Sequence, residues 1–189
     1  MAKAVILIGS PRKGGNTDCL ADAFLEGVRE AGGEGEKVYL DDLNLRPIAE
    51  VGDVMDERVD LRADDDYLPT LKQALAADIL VLATPVYWQG VSAQMKAFVD
   101  RWSCYYSKPM LLEGMKGKIW AALVPHGAPE PAHAKWVTDP IEIWAGHFQA
   151  HLVGAVTVTA SKKGAVAQMP EVLARAKALG QRCVEMAGM

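Results

Sequence analysis

Short continuous runs of hydrophobic residues alternate along the chain with longer segments in which hydrophobic residues recur every three or four positions. The continuous runs are rich in β-branched residues and lie at residues 5–8, 38–40, 79–83, 119–124 and 153–158. Uninterrupted runs of this length predict strands that are buried on both faces of a sheet.

The segments between these runs have the spacing of amphipathic helices. They cover residues 20–31, 91–102, 141–152 and 172–184. Alternation of strands and helices predicts an α/β fold with a parallel sheet and helices on both faces. Right-handed crossovers and five strands suit the doubly wound order 2-1-3-4-5, with a ligand crevice at the carboxyl ends of strands 1, 3 and 4. The length predicts a single domain spanning residues 1–189.

The acidic segment at residues 50–66 interrupts this alternation. It holds eight carboxylates, opposed only by Arg58 and Arg62. Because like charges repel and stay hydrated, we expect a solvated loop there. A segment that covers a neighbouring subunit is the alternative.

Composition narrows the function classes. The net charge is −4 and 23% of residues are charged, which is typical neither of a disordered chain nor of a nucleic-acid-binding protein. Cys19, Cys104 and Cys183 form no CxxC pair, so a cysteine-ligated metal site is not expected. No hydrophobic run approaches the length of a membrane span. We expect a soluble cytoplasmic protein with reduced thiols.

The loop after the first predicted strand has the composition of an anion site. Ser10, Asn16 and Thr17 can donate hydrogen bonds, Arg12 and Lys13 add positive charge, and a helix follows at once. The spacing fits neither a Walker A loop nor a Gly-x-Gly-x-x-Gly fingerprint, which leaves a monophosphate as the candidate ligand. A glycine-rich turn with an Asn or Thr N-cap is the alternative.

The loops after strands 3 and 4 lie at the same predicted edge. Tyr87 and Trp88 are adjacent in the first of them and suit a flat heterocycle, although one of the two could simply pack beneath the loop. His126 in the second could contact a ligand or cap a turn. His147 and His151 would share a helix face, but they lack the glutamate of a zincin helix, so no metal site is expected.

Together these segments resemble the flavodoxin-like NAD(P)H-dependent FMN reductases, and most closely the subgroup of iron–sulfur flavoproteins and related quinone reductases. The resemblance rests on Gly-Ser-Pro-Arg-Lys-Gly-Gly-Asn-Thr at 9–17, Thr-Pro-Val-Tyr-Trp at 84–88 and Ser-Ala-Gln-Met-Lys-Ala-Phe-Val-Asp-Arg at 92–101. It implies a flavodoxin-like fold that binds FMN without a covalent link.

The resemblance also implies which residues hold the cofactor. The phosphate would be held by Ser10, Arg12, Lys13, Asn16 and Thr17, the ring would be lined by Pro85, Val86, Tyr87 and Trp88 with close approach at Gly90, and the pyrimidine side would be bordered by His126 and Gly127. Two features depart from the family pattern. Residues 50–66 contain no cysteine, so the iron–sulfur cluster is expected to be absent, and Pro125, Pro129 and Pro131 stand where relatives are richer in glycine.

The resemblance therefore implies an enzyme that passes hydride from NAD(P)H through bound FMN to a small acceptor such as a quinone or a flavin. No catalytic side chain is required for this chemistry. The alternatives are a flavodoxin-type electron carrier, which is usually more acidic, and a non-redox binding module. The resemblance further implies a homodimer or homotetramer. The charge balance and the lack of a long hydrophobic run predict that neither nucleic acid nor a membrane is a partner.

Overall fold

The structure is a computed structural model that describes residues 1–51, 59–62 and 64–189. The strands are β1 (Lys3–Ile8), β2 (Glu34–Tyr39), β3 (Glu50–Val51), β4 (Val59–Asp60), β5 (Ile79–Ala83), β6 (Ile119–His126) and β7 (His151–Thr159). The α-helices are α1 (Asn16–Glu30), α2 (Tyr67–Ala76), α3 (Ala93–Asp100), α4 (Pro109–Met115), α5 (Lys135–His147) and α6 (Pro170–Ala187).

A five-stranded parallel sheet has the order β2-β1-β5-β6-β7. Numbered along the chain within this sheet, the order is 2-1-3-4-5, so the predicted flavodoxin-like topology is confirmed. The short strands β3 and β4 pair with each other in an antiparallel ladder outside the main sheet.

The sheet is covered on both faces, which explains why its central strands are hydrophobic without alternation. On one face, α1 and α6 pack through Leu20, Phe24 and Leu179 against β1, β5 and β6. On the other face, residues of α2, α3, α4 and α5 form a second core around Trp102 and Trp120. With both faces occupied, the strand ends and their loops carry the accessible surface of the sheet.

The boundary between α5 and β7 differs from the predicted helix at 141–152. The helix ends at His147 and β7 begins at His151. Gln149 takes a left-handed conformation with φ of 54°, and the Ala150 N–H bonds to the carbonyl of Ala145. This turn reverses the chain, so the prediction that His147 and His151 share a helix face is wrong.

The short helices α2 and α4 had no clear signal in the sequence and were not predicted.

The acidic segment at residues 50–66 is only partly as expected. Asp64 and Asp66 are exposed as expected, but the side chains of Asp60 and Asp65 are buried, so the prediction of a solvated loop is wrong for these two side chains. Residues 52–58 and 63 of this segment lie outside the described part of the chain.

No helix among the described residues combines the length and the hydrophobicity that crossing a membrane requires.

Candidate functional site

Loops from four neighbouring strands surround a cleft at the carboxyl edge of the sheet. The cleft encloses about 240 Å³ and is lined by Ser10, Arg12, Gly15, Asn16, Thr17, Pro85, Val86, Tyr87, Pro125, His126, Gly127, Ala160, Ser161 and Lys163. It lies where the doubly wound topology places its ligand crevice.

The loop after β1 forms a concave turn that ends at the first residue of α1. Gly14 has a φ of +67°, and the Gly15 N–H bonds to the Arg12 carbonyl at 2.9 Å. A Cβ added to Gly15 would lie 2.7 Å from the Arg12 carbonyl oxygen, so a side chain there would fill or distort the turn. The N–H groups of the first turn of α1 have no partner within the helix, and such an end is a favourable position for an anion.

Polar side chains reach into the same turn. Ser10 and Thr17 are buried and line the cleft, and the Ser10 hydroxyl accepts a hydrogen bond from the Arg12 N–H at 3.3 Å. Arg12 and Lys163 line the cleft from opposite loops and are exposed. The turn thus combines hydroxyl donors, helix N–H groups and two cations.

A buried carboxylate supports this turn from behind. The Gly14 N–H donates to Asp18 at 2.7 Å, and Lys37 and the Tyr39 hydroxyl each donate to its other oxygen at 2.7 Å. Burial raises the pKa of Asp18, but the hydrogen bonds from Lys37, Gly14 and Tyr39 and the charge of Lys37 outweigh it and bring the pKa below its usual value. Asp18 is therefore ionised, and Lys37 offsets its charge beside this turn.

Two residues expected at the phosphate are engaged elsewhere. The Asn16 side-chain amide donates to the carbonyls of Ala160 and Lys162 at 2.8 and 3.0 Å, and its oxygen accepts from the Val166 N–H at 3.2 Å. Asn16 lines the cleft, but its side chain joins α1 to the loop after β7. The Lys13 ammonium pairs with Asp42 at 2.7 Å, and Lys13 is not among the residues that line the cleft.

The loop after β5 closes in a tight turn with an unusual backbone. Tyr87 and Gly90 exchange two backbone hydrogen bonds of 2.9 and 3.0 Å. Trp88 and Gln89 between them have φ values of 47° and 62°. Positive φ at both central residues is the pattern of a type I′ turn, which normally favours Asn and Gly. The turn holds Trp88 with its side chain fully exposed, at 101%.

A second cavity of about 200 Å³ adjoins the cleft. It is lined by Val86, Trp88, Gln89, His126, Gly127, Ala128 and His133. Val86, His126 and Gly127 line both spaces, so the two are neighbours that share a wall. Trp88 belongs to the second cavity rather than the first. Gly90 closes the turn, and it is not among the residues that line either space.

The two histidines of this second cavity differ in their hydrogen bonding. His126 is buried at the end of β6, with Nδ1 3.0 Å from the Ala128 carbonyl oxygen. His133 lies in a 3-10 helix at Pro131–Ala134, and its Nδ1 is buried with no hydrogen-bond partner among the described residues. His126 therefore both caps a turn and borders the site.

Two groups of residues that line the site were not predicted from the sequence. Ala160, Ser161 and Lys163 follow β7, whose carboxyl end lies at the same sheet edge, so the strand order could have identified them. Gln89, Ala128 and His133 depend on loop conformation, for which the hydrophobic pattern carries no signal.

One family profile and several known proteins are similar to this chain. The profile of the family described as NADPH-dependent FMN reductase matches residues 2–165. An iron-sulfur flavoprotein of Archaeoglobus fulgidus is 34% identical over 146 residues, which cover 75% of this chain and 63% of the relative. An iron-sulfur flavoprotein of Methanosarcina thermophila is 31% identical over 150 residues, which cover 79% and 73%.

A putative NAD(P)H-dependent FMN-containing oxidoreductase of Bacillus subtilis, YwqN, is 36% identical over 102 residues, which cover 53% of this chain and 52% of the relative. The matched region therefore spans 52% of YwqN and 63% of the Archaeoglobus protein, which is less than two thirds of either relative.

Solved structures share the fold. The Trp repressor binding protein from Bacillus subtilis superposes with a TM-score of 0.71 at 24% identity, covering 94% of this chain and 98% of its own. The apo form of an NADH:FMN oxidoreductase superposes with a TM-score of 0.68 at 22% identity, covering 97% and 89%.

Proposed function

This chain belongs to the NADPH-dependent FMN reductase family, and from that premise we propose that it is an oxidoreductase that moves hydride from NADPH through bound FMN to a small acceptor. One observation carries the proposal. A concave anion-binding turn and a cavity bordered by aromatic and imidazole side chains adjoin at one edge of the sheet. FMN has a phosphate at one end and a flat ring at the other.

The first cleft fits the phosphate end of FMN. Ser10 and Thr17 can donate hydroxyl hydrogen bonds, and the α1 N-terminus can donate N–H groups. Arg12 and Lys163 supply charge opposite to that of a phosphate. Gly15 allows the tight turn that brings these groups together, because a Cβ there would lie 2.7 Å from the Arg12 carbonyl oxygen.

The second cavity fits the ring. Pro85, Val86 and Tyr87 form the wall that leads from the first cleft, and Trp88 and His126 border the space beyond it. When bound, FMN supplies the hydride-transfer chemistry itself. Val86 and His126 would border the ring, and the exposed side chains of Tyr87 and Trp88 would lie where a second substrate can approach it.

These exposed aromatic rings also favour a flat second substrate. Tyr87 and Trp88 can stack on a nicotinamide or on a quinone, and this stacking positions either one without an acid or base from the protein. We therefore propose a quinone or a free flavin as the acceptor, in alternation with NADPH.

An iron–sulfur cluster does not fit this chain. Its three cysteines, Cys19, Cys104 and Cys183, lie in α1, in the turn after α3 and in α6. A cluster needs thiolates that converge on one point. Electron transfer through such a cluster, which the names of two relatives suggest for those proteins, is not part of the proposal.

Steady-state kinetics of the FMN-loaded protein test the proposed function. With NADPH and 1,4-naphthoquinone varied together, alternation at one site predicts parallel double-reciprocal lines. Intersecting lines would contradict alternation, and no NADPH oxidation with any quinone or flavin would contradict the activity.

A matched pair of glycine variants tests the site. Gly15→Val should abolish FMN binding, because a side chain would collide with the Arg12 carbonyl. Gly146→Val is the control, because a Cβ at Gly146 meets no atom within 4 Å. Unchanged FMN affinity in the folded Gly15→Val protein would contradict the placement of the phosphate.

A further inference from the structure

The carboxylate of Asp18 holds the turn at residues 12–15 without reaching the cleft. It accepts a hydrogen bond from the Gly14 N–H at 2.7 Å, and Gly14 lies between Arg12 and Gly15, which both line the cleft. Asp18 itself is buried and is not among the lining residues. Any influence of Asp18 on a bound phosphate therefore passes through the backbone of the turn.

Gly14 is the residue of this turn whose conformation most needs to be held. Its φ is +67°, and a glycine visits this left-handed region about as readily as the regions of negative φ. No heavy atom of the described chain lies within 4 Å of the position that a Cβ would take at Gly14. Packing there contributes little, so the hydrogen bond to Asp18 favours the conformation that shapes the turn.

The edge strand β2 keeps the Asp18 carboxylate in place. Lys37 and the Tyr39 hydroxyl each donate to its second oxygen at 2.7 Å. The Lys13 ammonium lies 5.0 Å from the centre of the Tyr39 ring. Two consecutive residues of the loop are therefore attached to β2, Lys13 by its own side chain and Gly14 through Asp18.

We propose that Asp18 is a positioning residue for the phosphate of FMN: it sets the turn at residues 12–15 before the cofactor binds, so that the phosphate does not have to order this backbone. A site that is already ordered binds more tightly, because less conformational entropy is lost on binding. This inference rests on the proposed function, because it requires a phosphate in the first cleft.

The negative charge of Asp18 makes the sign of a binding change informative. A carboxylate repels a phosphate, so charge alone predicts that FMN binds more tightly once Asp18 is removed. Positioning predicts weaker binding. Asp22 separates the two effects, because its exposed carboxylate pairs with the same Lys37 at 2.5 Å but lies one helical turn further along α1.

Titration with FMN and with riboflavin, which lacks the phosphate, tests the proposal. We expect Asp18→Ala to bind FMN about tenfold more weakly than wild type, as for the loss of one hydrogen bond to a charged group, and riboflavin equally well. Asp18→Asn has lost the same charge but keeps an acceptor for Gly14, so it should recover most of the loss.

Asp22→Ala is the matched control and should bind FMN as well as wild type or more tightly. Lys37 keeps one carboxylate partner in Asp18→Ala and in Asp22→Ala, so neither variant leaves this ammonium unpaired.

Hydrogen exchange in the wild-type protein gives a second test that needs no substitution. In the FMN-free protein the Gly14 amide hydrogen should exchange about tenfold or more slowly than that of an unstructured glycine, because its bond to Asp18 is present before the cofactor. Exchange at the unprotected rate would overturn the claim that the turn is set in advance.

The outcomes distinguish the proposed function from the role of Asp18. A wild-type protein that does not bind FMN would overturn the proposed function. FMN affinity in Asp18→Ala that equals or exceeds that in Asp22→Ala would overturn only the positioning role. Equal losses of FMN and riboflavin affinity would also overturn it, because they would show that Asp18 merely caps α1 and supports the fold.

Discussion

Asn16 shows that residue type at a strand end is easier to predict than the partner that the residue takes. The sequence places Asn16 at the mouth of the first strand, and the structure uses its amide three times to hold the loop after β7. Those partners are 144 to 150 residues away, so no local pattern could indicate them.

Substitution of Asn16 should therefore act mainly on stability. Asn16→Ala leaves two carbonyls and one N–H without their partner, which should lower the free energy of unfolding by about 1–3 kcal/mol. Urea denaturation of the FMN-free protein measures this. A variant as stable as wild type would contradict the structural role.

Thr17 provides the complementary case, since it is buried and lines the cleft. Thr17→Val removes the hydroxyl at almost constant volume, so FMN affinity should fall by about two- to tenfold while stability changes little. Fluorescence titration with FMN measures the affinity. Wild-type affinity in this variant would show that the hydroxyl does not contact the phosphate.

The Asp18 carboxylate predicts a pH dependence. Its pKa in the folded protein lies below the usual value, since hydrogen bonds and the Lys37 charge outweigh burial. Such a group stabilises the fold above its unfolded pKa of about 3.9, and this contribution is lost as pH falls through the lower folded value.

Urea denaturation between pH 6 and pH 3 should therefore show a smaller loss of stability in Asp18→Asn than in wild type. The dependence of stability on pH should not vanish in this variant, because Asp65 acts in the same direction. Burial raises the pKa of Asp65, but hydrogen bonds from Arg101 and from backbone N–H groups outweigh burial and bring the pKa below its usual value. Identical slopes in the two proteins would contradict the assignment.

At the scale of elements, a buried ion cluster joins the end of α3 to the acidic segment. Arg101 is fully buried and donates to Asp65 at 2.6 Å and to Asp60 at 2.7 Å, while the Tyr105 hydroxyl also donates to Asp60. The guanidinium lies 4.0 Å from the centre of the Tyr67 ring. The cluster therefore fixes β4 and the start of α2 against α3.

Removal of Arg101 should leave the buried carboxylates of Asp60 and Asp65 without their cationic partner. We expect Arg101→Met to lower the free energy of unfolding by about 3–5 kcal/mol, since it leaves buried charges uncompensated. The triple variant Arg101→Met, Asp60→Asn, Asp65→Asn should be more stable than the single variant, because the cluster then holds no uncompensated buried charge. Chemical denaturation compares them, and a triple variant less stable than the single one would contradict this account.

The elements that the sequence predicts are those with a strong local period. Strands β1, β5, β6 and β7 and the segments that became α1, α3 and α6 were predicted, because continuous hydrophobic runs specify the strands and helical spacing specifies the helices. Strand β2 begins at Glu34, four residues before the predicted run at 38–40, because its first residues are mostly polar. The short helix α4 has only seven residues, too few for a helical period to be distinguished. The end of α5 depends on the left-handed Gln149, which its residue type does not predict.

At the scale of the whole molecule, the strand order was predictable and the shape of the site was not. Alternation of strands and helices with right-handed crossovers brings the four loops to one edge. The division into a phosphate cleft and a ring cavity depends on the turn at Trp88 and Gln89 and on the 3-10 helix that carries His133. The sequence does not indicate the first of these, because positive φ at both central residues normally favours Asn and Gly rather than Trp and Gln.

The association of this chain into a homodimer or homotetramer remains a prediction. Trp136 and Ile143 are exposed on α5 and lie seven residues apart, hence on one helix face. Large exposed apolar side chains are enriched where subunits meet. Sedimentation velocity should show a homodimer or homotetramer that Trp136→Glu with Ile143→Glu converts to monomer. A wild-type monomer would contradict the prediction.

The central claim is that the two adjoining cavities hold FMN and present it to NADPH. The most direct test is the absorbance spectrum of the protein with one equivalent of FMN, recorded without oxygen before and after addition of NADPH. The account predicts a bound flavin whose absorbance bleaches on NADPH addition and returns when a quinone is added. Flavin that does not bind, or bound flavin that NADPH leaves oxidised, would contradict it.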